Sequence, residues 1–215
     1  MRHSTGTSGT TRGSTTLRWT TFMALILFPL AACDDDSPTT PPDGEQGTME
    51  AVVQDDGGAQ SPAQAWATEG SGEVSGQFEG QARVEVMVDG AWQQVSGLAD
   101  MNAEAELQGG ASTMGTATVE ARTYDRVRVV VSNANADVDA GSEIGIGPIE
   151  TSISLTIAGG GDAVIEYNQP VTVQADANTR LVLHLNSQAW LTEDALEAGA
   201  VTSAAFESAA TVVVQ

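Results

Sequence analysis

The stretch Val84 to Val95, VEVMVDGAWQQV, alternates apolar and polar residues on either side of an Asp89-Gly90 pair. A period of two puts Val84, Val86 and Val88 on one face of an extended chain and Arg83, Glu85 and Met87 on the other. Both residues of an Asp-Gly pair tolerate positive φ, so the pair predicts a two-residue hairpin turn. One apolar and one polar face is the pattern of an antiparallel sheet that buries a single side.

That pattern recurs along the chain. TMEAVVQ (Thr48 to Gln54) opens it, and a Gly, Ser and Gln-rich interval to Gly72 reads as a loop. ATVEA and YDRVRVVVS put Val127, Val129 and Val131 on one face, with Tyr124, Arg126 and Arg128 on the other. SISLTIA lines up Ile153, Leu155 and Ile157, and GGGD (Gly159 to Asp162) leads to AVIEY. PVTVQA and RLVLHLN add Val171 and Val173, then Leu181, Leu183 and Leu185, and ATVVVQ supplies a last strand. Only Thr192 to Ala198 reads as helix, with Thr192 as N-cap and Glu193 and Asp194 in the first turn. Short strands at this spacing predict an all-β antiparallel β-sandwich over residues 48–215 with one short helix near its C-terminus.

The segment before the sandwich has a different composition. Met1 to Arg18 carries Arg2, Arg12 and Arg18 and no acid, and the apolar run WTTFMALILFPLAA follows. These are the charged start and apolar centre of a secretory signal, and the run is too short for a spanning helix of about 20 apolar residues. It ends in Leu30-Ala31-Ala32-Cys33, which resembles the lipobox of bacterial lipoproteins. The resemblance implies a signal peptide over residues 1–32 and a mature chain starting at Cys33, lipidated with two or three acyl chains (palmitate among them); two suffice for stable anchoring. Residues 33–47, CDDDSPTTPPDGEQG, then form an extended, charged tether. Acids directly after such a cysteine resemble lipoprotein sorting signals. Of the addresses they imply in the bacterial cell envelope, the outer membrane or cell surface is expected over the inner membrane.

Charge narrows the partners. Of the 8 basic residues three precede Cys33, so five arginines and no lysine face 29 acids in the mature chain, a formal charge of -24. Such a surface repels nucleic acid and anionic lipid head groups. The membrane is reached through the acyl chains, and other envelope proteins or carbohydrate remain as partners.

Val84 to Val95, Thr123 to Val138 and Thr179 to Asn186 together resemble a family of bacterial lipoprotein domains of unknown function. Val86, Val88, Gly90 and Trp92 match its first element, and Tyr124, Val127 and Val129 its second. Arg122 stands where the family has glycine, and the opening strand matches poorly. The resemblance implies a transthyretin-like or prealbumin-like β-sandwich and no activity; an immunoglobulin-like sandwich fits the strand pattern equally.

Few residues offer chemistry. His184 alternates with Leu183 and Leu185 and reads as a half-exposed sheet residue. One mature histidine and one lipidated cysteine leave too few ligands for a zinc site. Nothing singles out a catalytic carboxylate pair among 29 acids, so a non-catalytic binding or structural module is expected. The alternative is a carboxylate-based hydrolase of surface polysaccharide, which needs two carboxylates roughly 5 to 9.5 Å apart in a cleft. Two clusters stand out. Arg122, Tyr124, Arg126 and Arg128 alternate along one strand and suit either cross-strand ion pairs or a small anion or carboxylate site. Asn133, Asn135, Asp137 and Asp139 share a face if that strand runs on, with Glu143 beyond. Alternating oxygen ligands are similar to calcium loops, although the EF-hand spacing is not met; the competing account is a solvated strand edge. Calcium is the one cofactor this pattern suggests. Trp66, Trp92 and Trp190 suit carbohydrate stacking or core packing.

Overall fold

A computed structural model describes residues 44–55, 74–144 and 147–215. The expected signal segment, Cys33, the expected tether up to residue 43 and the interval with Trp66 lie outside the described residues. In chain order the strands are β1 (Gln46–Asp55), β2 (Gly76–Val88), β3 (Ala91–Gln94), β4 (Met101–Glu106), β5 (Ser112–Glu120), β6 (Thr123–Tyr124) and β7 (Val127–Val138). There follow β8 (Glu143–Ile144), β9 (Gly147–Pro148), β10 (Ile153–Ile157), β11 (Ala163–Tyr167), β12 (Val171–Thr172), β13 (Asn178–Leu185), β14 (Ala200–Val201) and β15 (Thr211–Val214). Three short helices, α1 (Ser187–Trp190), α2 (Glu193–Ala198) and α3 (Ser203–Ala209), fill the C-terminal quarter.

Two sheets face each other across one core. The smaller runs β15-β13-β1-β5, and the larger runs β14-β10-β7-β2-β3 with β11 beside β7 and β4 beside β2. The chain is therefore an all-β sandwich. Its pairing is mixed, because β1 lies parallel to β13 and β10 parallel to β14. The antiparallel expectation fails at those two pairs, which no local turn connects.

The turn between β2 and β3 is the predicted one: Asp89 has φ 51 and Gly90 φ 78, and Val88 pairs directly with Ala91. Between the sheets lie Phe78, Val84, Leu98, Leu155, Ile157, Leu181, Leu183 and Leu185, all buried. At one end Phe206 of α3 stacks on Phe78 at 5.8 Å and meets Trp190 of α1 at 6.2 Å. Trp190 is thus core. Thr192 caps α2 as expected, its hydroxyl accepting from the Ala195 N–H, and Gly199 at φ 63 ends it. Helices α1 and α3 and strand β4 are additions to the predicted elements. α3 also closes an edge, since the Val164 N–H of β11 donates to Glu207 Oε1.

Strand β7 sets the candidate sites because its inward positions change parity. Val127, Val129 and Val131 are buried, yet beyond them Ala134, Ala136 and Val138 point inward. The switch is a bulge, where the pairing with β2 shifts register between Glu79 and Gln81 and Asn133 takes φ 49. A second switch comes just before the strand, at Asp125 and Arg126, which separate buried Tyr124 from buried Val127.

Candidate functional site

The outward face of the larger sheet carries the arginines. Register places Gln94, Glu85, Arg128 and Glu166 in one row across β3, β2, β7 and β11. Met87 pairs with Trp92 in the next row, and its N–H donates to the Arg126 carbonyl at 2.8 Å. The hairpin turn therefore delivers the indole of Trp92 to the two arginines. The Arg128 guanidinium lies 4.3 Å from the ring centre and that of Arg126 5.5 Å.

Glu85 is the hub of the charge network. It accepts from Arg128 Nε at 2.7 Å and from Arg83 Nε at 3.0 Å, and Arg83 continues to Asp162 at 2.7 Å. Burial works against the charge on Glu85, but the hydrogen bonds from Arg128 and Arg83 outweigh it and hold the carboxyl below its usual range. The guanidinium of Arg83 is pushed up, first by its bond to Asp162 and then by that to Glu85.

Arg126 is held differently. Its Nη1 stands 3.6 Å from Glu166 Oε2, and its one hydrogen-bond acceptor among the described residues is the sulfur of Met87 at 3.1 Å. The second oxygen of Glu166 stands 3.9 Å from Arg128 Nη1. Glu166 thus lies between two guanidiniums without hydrogen-bonding to either.

The expected alignment of Arg122, Tyr124, Arg126 and Arg128 on one face is not what the chain adopts. Tyr124 is buried at 6% exposure, and its hydroxyl donates to the Glu120 carbonyl at 3.0 Å. Burial raises its pKa, the Glu120 charge adds to that, and Arg122 partly offsets both. Arg122 pairs with Glu120 at 3.5 Å and faces the Tyr124 ring at 5.8 Å. The break at Asp125 and Arg126 separates this pair from the Trp92 cluster. Arg180 is ion-paired as well, with Glu50 at 3.8 Å. His184 is half-buried in β13.

The second candidate divides too. Past the bulge Asn133, Asn135 and Asp137 do share an exposed face. Asn133 donates to Gln81 Oε1 at 3.0 Å, and Asp137 accepts from the Ser154 hydroxyl. Asp139 lies beyond the strand end, its N–H bonded to the Ser75 carbonyl, and the side chain of Glu143 lies outside the described residues. Among the described residues no three His, Cys, Asp or Glu side chains gather to hold a metal. Asp137 and Asp139 line a groove of about 610 Å³ together with Glu106, Gln77 and Gln108.

Asp55, at the end of β1, is absent from the sequence reading. It is fully buried and accepts from the Gln108 N–H at 3.0 Å and the Ser187 N–H at 3.1 Å, joining three segments. An acid closing the run EAVVQD is the one signal that marks it.

Comparison of the chain with protein-family models, curated proteins and solved structures returned no match.

Proposed function

We propose that this chain is a non-catalytic lipoprotein of the bacterial cell envelope, at the outer membrane or cell surface, held by acyl chains on Cys33. Its β-sandwich works there as a binding or structural module. The observation that carries this reading is the position of β1. That strand begins at Gln46, 13 residues past the cysteine that ends Leu30-Ala31-Ala32-Cys33, and the residues between are free of large apolar side chains. The chain enters at the end of the sandwich marked by Glu120, Ala121 and Asp176, where the Ala121 N–H donates to the Glu45 carbonyl. Attachment there leaves β1 free to occupy an interior place between β13 and β5.

The test is metabolic labelling with an alkyne-bearing palmitate and detergent-phase partitioning of the full chain and Cys33→Ala. Label and partitioning of the full chain, both lost in the variant, support the proposal. An unlabelled full chain that stays in the aqueous phase refutes it.

A further inference from the structure

We propose that Trp92, Arg126 and Arg128 form a site for a compact carboxylate, and that Glu166 is the internal carboxylate an incoming one displaces. A guanidinium has five N–H donors in a fixed plane and binds a carboxylate best through two parallel bonds. Arg83 and Arg128 have found such oxygens at 2.7 to 3.0 Å. Arg126 has not: it offers one N–H to a sulfur, stands 3.6 Å from its nearest carboxylate oxygen and is 40% exposed. Its donors are therefore available to an anion arriving from solvent.

The position of Arg126 is nevertheless defined. Its guanidinium faces the Trp92 ring, as does that of Arg128, and Arg128 is locked on its other side by Glu85. Two cations set over one indole are ordered before a ligand arrives, which removes part of the entropy cost of binding. Glu166 fills the gap loosely at 3.6 and 3.9 Å and is 32% exposed, so its carboxylate can turn to water at small cost. The surrounding charge agrees. The ion-paired Arg83, Arg126 and Arg128 match Glu85, Asp162 and Glu166 one for one on a strongly acidic chain. When Glu166 turns aside, the two guanidiniums face solvent with no carboxylate between them. Because the vacated space is that of one carboxylate, the ligand is a carboxylate, either on a free short-chain acid or on an acidic sugar.

This inference stands apart from the membrane anchor and is tested separately. The full chain as expressed, in nonionic detergent micelles whether or not it carries acyl chains, is titrated with propionate and with glucuronate at an ionic strength held constant with chloride, and tryptophan emission is followed. A saturable change is expected that disappears in Trp92→Phe. Affinity should fall roughly tenfold or more in Arg126→Ala, and less in Arg126→Lys, which keeps the charge but not the planar fork. Glu166→Gln removes the competitor and should tighten binding roughly two- to fivefold. Equal affinities for the two acids support recognition of the carboxylate alone; tighter glucuronate supports an acidic sugar. The proposal is overturned if neither acid gives a saturable change, if chloride reproduces it, or if Glu166→Gln leaves affinity unchanged.

Discussion

Phe206 closes one end of the sandwich from α3, and replacing it with alanine measures what that closure contributes. The ring is fully buried, stacks on Phe78 at 5.8 Å with planes 7° apart, and meets Trp190 at 6.2 Å and 56°. Truncating a buried phenylalanine costs about 3 to 5 kcal/mol, counting lost transfer energy and the cavity left behind. The two ring contacts, at about 0.5 to 1.5 kcal/mol each, place this site toward the upper end. For a domain of this size 1 kcal/mol moves the melting midpoint by about 2 to 4 °C, so Phe206→Ala should lower it by about 6 to 20 °C. Val213→Ala serves as the control, because Val213 is 38% exposed on the edge strand β15 and should change stability by about 0.5 kcal/mol or less. Calorimetry or urea unfolding followed by circular dichroism reads both variants. A loss below about 1 kcal/mol for Phe206→Ala would show that α3 does not complete the core.

Three further outcomes follow from the charge network, the bulge and the buried acid. The folded-state pKa of Glu85 is lowered, so its stabilisation is complete above the unfolded value near 4.5 and is lost as pH falls through the folded value. The unfolding free energy of Glu85→Gln, from urea titrations, should therefore lie below the parent's at pH 7 by about 1 to 2 kcal/mol for two weakened ion pairs, with the gap closing as pH falls below the unfolded value. Asn133 holds φ 49, so Asn133→Val should cost about 1 to 2 kcal/mol while Asn133→Gly stays near neutral; equal losses in thermal melts would argue against the bulge. Asp55→Asn keeps one acceptor oxygen where two N–H groups converge, and the orphaned buried donor should cost about 1 to 3 kcal/mol in the same melts.

Whether an element could be read from the sequence depends on whether its signal is local. The β2–β3 hairpin was legible because Asp89-Gly90 and the flanking valines carry all of its information within a dozen residues. α2 was legible for the same reason, through Thr192, Glu193 and Asp194. β4 was hidden because MNAEAE turns alanines inward and, apart from Asn102, is built from good helix formers. What makes it a strand is pairing with Gln77 to Ala82 of β2, a tertiary fact. The parallel β1 and β13 pair is more distant still, joining residues about 130 positions apart.

The candidate site shows where counting by twos stops working. Parity assigns faces only along an unbroken ladder, and the chain breaks it at Asp125 and Arg126 and again at Asn133. The first break sends Tyr124 into the core while Arg126 and Arg128 stay outside. The second turns Asn133, Asn135 and Asp137 to solvent, although they have the same parity as the buried Val127, Val129 and Val131. The clustered arginines were visible in the sequence, but their neutralisation was not, because Glu85, Asp162 and Glu166 come from other parts of the sheet. Trp92 was visible as a hairpin residue, but its contact with the arginines needs two long-range facts at once. Met87 must pair with Trp92 across one side of β2 and hydrogen-bond to Arg126 across the other. That double constraint distinguishes Arg126 from the other arginines: it is held over an indole with its oxygen-binding edge still open.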